Sequence, residues 1–260
     1  MTTVTTRYGR TWDLLDPQAN LVSFWEIAEV LAHIPRFNGH TKMRYSVAQH
    51  CCMAHDHVCE ENDPQLRLLA LLHDAHEAYI GDIITPVKEA LCALPGGGQV
   101  DVALEHLKVR HDMAIHDAAG LPSLCYTSQQ ALVKSVDKDL LLEEQRWLFP
   151  QDNFRKPKIF LAYWTEKQSA KEFMQRLYAS PIYRAKLWEE GELTQPQFLT
   201  EIERLAITQG QSSDQAKDYA ERCLADFLHE CGCEYGSHDH AWDLNAAETA
   251  FTTGLWESER

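Results

Sequence analysis

Residues 65–80, QLRLLALLHDAHEAYI, constrain the fold more than any other stretch. Leu68, Leu69, Leu71 and Leu72 leave little room for a solvated face, so the segment reads as a buried, central helix that Gly81 ends. Into this apolar run the chain inserts HDAHE at 73–77. Charged groups in such a helix are costly unless paired or bound to a cation. On one continuous helix, Glu77 falls four residues beyond His73 and three beyond Asp74, on the same side. An imidazole and two carboxylates then converge along one edge.

The other long segments also carry helical spacing. These are 22–34, 46–59, Pro86 to Leu94, 100–119, 128–149 and 159–189, the last interrupted at Pro181. Ser46 followed by Gln49 is a capping-box signature. The run LPGGG at 94–98 reads as a loop. Three further helices are expected at 195–208, 212–231 and 240–254, in an acidic stretch. Strand-like alternation of useful length is not found, so the expected class is all-α.

Two more residues join the HDAHE group. Asp137 has Val133, Val136, Leu140 and Leu141 at i−4, i−1, i+3 and i+4, which sets a carboxylate within an apolar stripe. His50 lies in the capped helix, in SVAQHCC. Two imidazoles and two carboxylates suit one divalent metal ion (Mn, Co, Fe, Mg or Zn) better than a thiolate site would. A lone helical histidine is more often a satisfied polar residue than a ligand. The chain has 13 histidines, and His55-Asp56, His111-Asp112, His116-Asp117 and His238-Asp239 are read as solvated faces on more polar stretches.

Hydrophobic residues make up 45% of the 260 and charged residues 24%, enough for a packed core. The formal charge of −15 disfavours a long nucleic-acid partner, while a few basic groups in a cleft still admit a small phosphorylated substrate. No apolar run reaches bilayer length and the N-terminus lacks a secretory pattern, so a cytoplasmic location without a membrane partner is expected. Eight cysteines without such a signal read as reduced, packed thiols.

His50, His73-Asp74 and Asp137, in that order on separate helices, resemble the H…HD…D pattern of the HD-domain phosphohydrolase superfamily. SVAQH, ALLHDAHEAYIGDIITPVK and SVDKDLLLEE are similar to the bacterial 5′-deoxynucleotidases and to phage HD enzymes that hydrolyse dATP. The likeness covers residues 22–150. It implies an HD-type helical bundle over 1–184; the acidic helical extension at 185–260 has no counterpart in that family. It implies metal ligation by His50, His73, Asp74 and Asp137. Glu77 matches the acidic residue that handles proton transfer with the attacking water, and Asp82 one near the sugar. Arg36 and Phe37, in PRFNGHT, match an arginine–aromatic pair at phosphate and nucleoside; the aromatic here is Phe rather than Trp. Lys88, in TPVK, is expected at phosphate, with His40, Lys42 and Arg44 as further help. A homo-oligomer in a bacterial or phage-infected cytoplasm fits the family.

The expected reaction is hydrolysis of a deoxynucleoside triphosphate to nucleoside and triphosphate, because Arg36, His40, Lys42 and Arg44 are generous for one phosphate. A second divalent ion carried on the substrate phosphates is compatible with it. Release of phosphate from a deoxynucleoside monophosphate uses the same ligand set. Hydrolysis of a guanosine alarmone, cleavage of polymers and a non-catalytic HD scaffold are the competing readings. In the tail, Cys231, Cys233, His238 and His240 form C-x-C-x4-H-x-H, which reads either as a zinc site or as thiols buried by a helix.

Overall fold

The computed structural model describes residues 2–58, 63–121, 126–149, 159, 161–189, 212, 214, 215 and 217. The tail helices and the Cys231, Cys233, His238, His240 group lie outside the described residues, apart from isolated positions near 212–217. The chain divides into two compact units, Met1–Leu177 and Tyr178–Arg260. Among the described residues, helix dominates, in line with the all-α expectation, and no helix is long and apolar enough to cross a membrane.

Helix α1 spans Phe24–His33 and α2 spans Val47–His57. Ser23 and Ser46 cap them by accepting from the backbone N–H of Glu26 and Gln49 at 3.4 and 3.2 Å. Only half of the expected capping box forms at α2. The Gln49 amide donates to the Ala162 carbonyl at 2.8 Å instead of turning back to Ser46. Helix α3, Pro64–Leu72, starts with Pro64 at its first position and Asp63 as cap, accepting from Gln65 and Leu66 N–H at 2.9 and 3.1 Å.

The helix expected over 65–80 is broken. After α3 the chain makes a tight turn over His73–His76 and resumes as α4, Glu77–Ile80. Through the turn, N–H groups reach back three residues: Ala75 to Leu72, Glu77 to Asp74, Ala78 to Ala75 and Tyr79 to His76. This tighter winding rotates successive side chains further than an α-helix does. His73 Nε2 and Asp74 Oδ2 nevertheless meet at 3.1 Å, because both side chains reach inward from the turn. Helices α5 (Thr85–Ala93), α6 (Val100–Ala118), α7 (Tyr126–Leu148), α8 (Glu166–Ala179) and α9 (Pro181–Glu189) complete the order. Pro181 does separate the last two, and residues 161–165 are not helical.

In the first unit α2 is central, packing on α1, α3 and α7. Ile27 and Leu31 of α1, Val47 and Cys51 of α2, and Leu68, Leu71 and Leu72 of α3 are buried together. Each such side chain contributes about 1.5–3 kcal/mol by leaving water. The thiols of Cys51, Cys52 and Cys92 are free.

A small antiparallel hairpin escapes the sequence reading: β1 (Thr3–Thr5) pairs with β2 (Thr11–Asp13), Val4 opposite Trp12. Strands of three residues are too short for alternation to show. Buried Trp12 stacks on Tyr79 with ring centroids 4.0 Å apart. Arg10 pairs with buried Glu26 of α1 at 2.7 Å, and the Tyr8 N–H donates to the same carboxylate at 2.6 Å.

Between α1 and α2, Pro35 blocks helix continuation and the chain loops back, with Pro35 bridged to Ser46 and the Arg36 N–H donating to the Tyr45 carbonyl at 3.0 Å. Phe37, Asn38 and Gly39 all take left-handed backbone, with φ of 56°, 52° and 76°. For the first two this conformation is strained. Phe37 is held by an edge-on contact with Phe149 at 5.2 Å. This turn fixes where Arg36 points.

Candidate metal centre

Two helices and one turn deliver the expected ligands to one place. His50 comes from the middle of α2 and is fully buried. His73 and Asp74 come from the turn after α3, and Asp137 from α7. The Nε2 atoms of His50 and His73 are 3.1 Å apart. Asp74 Oδ2 lies 3.1 Å from His73 Nε2 and 3.7 Å from His50 Nε2. Asp137 Oδ1 lies 3.1 Å from His50 Nε2 and 4.0 Å from His73 Nε2. Ligands about 2.1 Å from a common ion sit about 3.0 Å apart at octahedral angles and about 3.4 Å apart at tetrahedral ones. The observed separations run from 3.1 to 4.0 Å, the shortest of them close to those values.

Hydrogen bonding fixes the tautomers. His50 Nδ1–H donates to Glu144 Oε1 at 2.6 Å, and His73 Nδ1–H donates to the Ala70 carbonyl at 2.8 Å. In the neutral rings both Nε2 atoms then carry lone pairs, which face one another and two carboxylates. Such an arrangement is repulsive unless a cation or a proton lies between, so the donor set fits a divalent metal ion.

The charges agree with this. Burial opposes ionisation of Asp74, yet His73, His50 and Arg36 outweigh it and hold the carboxyl well below its ordinary range. Burial and Arg36 both push the His50 imidazolium down. Glu144 and Asp137 overcome them, raising it to about 9. Asp137 is lowered too, against burial, by its hydrogen bond to His50 and by the charges of both histidines. Its side chain is 37% exposed, so it sits at the open edge of the apolar stripe rather than within it.

Two acids are pushed the other way. Glu77 is 9% exposed and its Oε2 has no hydrogen-bond partner. Burial first, then the charges of Asp74 and Asp82, raises it well above the ordinary carboxylate range. Asp82 is half-buried and raised, burial again being the main cause.

Arg36 reaches the centre, with its guanidinium 3.4 Å from Asp74 Oδ2, 3.9 Å from Asp137 Oδ1 and 3.3 Å from Glu144 Oε2. The other residues expected at substrate have contacts of their own, and the Arg36 guanidinium lies 5.6 Å from the centre of the Phe37 ring. Phe37 belongs to a small core cluster of Tyr45, Leu148 and Leu161. His40 is exposed, and the Lys42 ammonium stands 5.3 Å from the centre of the Trp147 ring. Arg44 donates to the carbonyls of Ala32 and Trp164 and pairs with Glu166 at 3.2 Å. Lys88 is half-exposed and pairs with Asp101 at 3.0 Å.

Sequence reasoning missed Glu144, which is fully buried and accepts from both His50 and the Tyr45 hydroxyl, the latter at 2.8 Å. Its signal was present: it stands two helical turns after Asp137, on the same face of α7. It missed the α6 face as well. His111 and His116, read as solvated, are buried, and Asp112 Oδ1 lies 3.0 Å from His76 Nδ1. Lys108, one turn before Asp112, feels the charges of Asp74, Asp112 and Glu77, which overcome burial and raise its pKa. The polar stretch buries these groups because its partner, the 73–77 turn, is itself charged.

No family model matches the chain. Over 134 residues it is 37% identical to an uncharacterized protein of Rhodobacter capsulatus, a match covering 50% of this chain and 64% of that relative. Over 122 residues it is 34% identical to the uncharacterized protein YfdR of Escherichia coli, covering 46% and 58%. The match spans about three fifths of each relative's length, and the relatives carry no assigned activity that could be transferred.

Proposed function

We propose that this chain is a metal-dependent phosphohydrolase of the HD type acting on a deoxynucleotide, with one divalent ion held by His50, His73, Asp74 and Asp137. The observation that carries the reading is the meeting of two tautomer-locked imidazoles and two carboxylates at one point. The resemblance of SVAQH, HDAHE and SVDKD to deoxynucleotidases supplies the substrate class. A divalent ion at this point would polarise a phosphoryl oxygen and lower the pKa of a coordinated water.

The chain's own residues divide the remaining work. Arg36 offsets charge on the phosphate at the metal. Glu144 and the Ala70 carbonyl keep both imidazoles in the ligating tautomer. Glu77 and Asp82, both raised chiefly by burial, are the acids placed for proton exchange; one orients the attacking water and the other serves the leaving oxygen.

The distribution of basic groups favours a monophosphate over a triphosphate. Of the cations that would receive outer phosphates, Arg44 is taken up by backbone carbonyls and Glu166, Lys42 lies by Trp147, and Lys88 is paired with Asp101. The test is chromatographic product analysis of metal-loaded protein with a panel of deoxynucleoside monophosphates, deoxynucleoside triphosphates and ribonucleoside triphosphates. Phosphate and nucleoside from monophosphates alone are the expected result. Nucleoside plus triphosphate would restore the triphosphohydrolase reading. Absence of turnover with every metal would sink the enzyme.

A further inference from the structure

The turn that supplies His73 and Asp74 has a second side. Asp74, His76 and Glu77 each place one ligating atom so that all three lie within 4.8 Å of one another. Cations with bonds of about 2.1–2.4 Å span about 4.2–4.8 Å between opposite ligands. The tight winding that turns His73 and Asp74 toward α2 and α7 also turns His76 and Glu77 toward α6.

Among the described residues, the buried Glu77 Oε2 at this spot has no hydrogen-bond partner. His76 is 6% exposed and Glu77 9%. Leaving such an atom unsatisfied costs about 1–3 kcal/mol, so it demands an explanation. The Asp112 carboxylate lies 3.0 Å from His76 Nδ1, the place of a carboxylate behind a metal-ligating histidine. Asp74 belongs to both groups. It can bridge two ions, which in phosphoryl-transfer sites stand about 3.5–4 Å apart.

Charge points the same way. Among the described residues that act on this turn, Asp74, Glu77, Asp82, Asp112, Asp137 and Glu144 outnumber Arg36 and Lys108 by four.

We propose that Asp74, His76 and Glu77 form a second divalent-cation site that shares Asp74 with the first, with Asp112 orienting His76. The proposal rests on the metal reading of the first site. It changes the labour within the centre: Glu77 becomes a ligand, which leaves Asp82 to serve the leaving oxygen. A second ion held there would supply a further positive charge to the oxygens of a phosphate ester.

The experiment is a titration of metal-free, full-length protein with Mn(II) alone. Bound ions are counted by elemental analysis after gel filtration and by electron paramagnetic resonance. Two ions per chain with an exchange-coupled spectrum are expected for the wild type. His76→Gln is expected to hold one uncoupled ion. Asp112→Asn is expected to weaken only the second ion, about 10–100-fold. One ion per chain in the wild type, unchanged in His76→Gln, overturns this proposal and leaves the first site standing. No bound ion overturns both. Should His76→Gln not fold, the wild-type count and Asp112→Asn decide.

Discussion

Glu144 and His50 are joined by a 2.6 Å hydrogen bond in a region where neither side chain touches solvent. Burial opposes ionisation of Glu144, but the charges of His50 and Arg36 keep it ionised below its ordinary pKa. The bond makes His50 Nδ1 the protonated nitrogen and so turns Nε2 into a ligand. Glu144→Gln keeps the shape and removes the charge. It is expected to lower metal affinity about 10–100-fold, read by calorimetric titration with Mn(II). Unchanged affinity would show that Glu144 serves packing alone.

A metal ion at the proposed site would join α2, α7 and the turn after α3, and would therefore also stabilise the fold. An ion at about 100 times its dissociation constant adds about 2.7 kcal/mol, or about 5–11 °C in the melting temperature of a chain this size. Thermal melts with and without EDTA measure this. Asp74→Ala is expected to abolish both the shift and turnover while leaving the helical circular-dichroism signal. Full activity in that variant would end the proposed function.

The hairpin reaches the centre through its packing. Trp12 lies on Tyr79, the third residue of α4, and its ring centroid is 6.0 Å from that of His111 on α6. Trp12→Ala leaves a cavity between these elements and is expected to cost about 3–5 kcal/mol in a denaturant melt. A loss below about 1 kcal/mol would show that the hairpin is peripheral.

Away from the centre, Asp56 links the end of α2 to α8 through Arg176, with oxygen–nitrogen distances of 2.8 and 2.6 Å. Burial raises the Asp56 carboxyl, but hydrogen bonds from His55 and Arg176 bring it down to about 2. A carboxyl depressed on folding stabilises above its unfolded pKa of about 3.9, and the contribution fades as pH falls toward 2. Asp56→Asn is therefore expected to be less stable than wild type at pH 7, with the gap closing between about pH 4 and pH 2. Parallel melts across pH check this. A gap constant with pH would exclude the ion pair as its cause.

The repeating pattern of the chain was legible, and its local chemistry was less so. The helices around Ser23, Ser46 and Pro64 could be read because caps and apolar spacing act within one turn. The break at His73 could not, since Leu68 to Ile80 continues the apolar pattern across it and the turn is set by contacts with α2, α6 and α7. The four converging side chains could be named, because a carboxylate or imidazole among leucines and valines stands out. Arg44 and Lys88 could not be placed, because a basic residue's partner lies wherever the fold brings an acid or a carbonyl. Lys108, His76 and Asp112 were hidden for the opposite reason: on a polar helix, polar residues signal nothing until the neighbouring turn proves to be charged.

The left-handed run at Phe37 and Asn38 makes the Arg36 turn a compromise between endurance and aim. Each non-glycine residue held there gives up about 1–2 kcal/mol, less for asparagine. Asn38→Gly would relieve part of that strain, and would also admit many more backbone shapes on either side of the native one. Selection for heat resistance alone would accept the exchange. Selection for a guanidinium fixed 3.4 Å from Asp74 would refuse it.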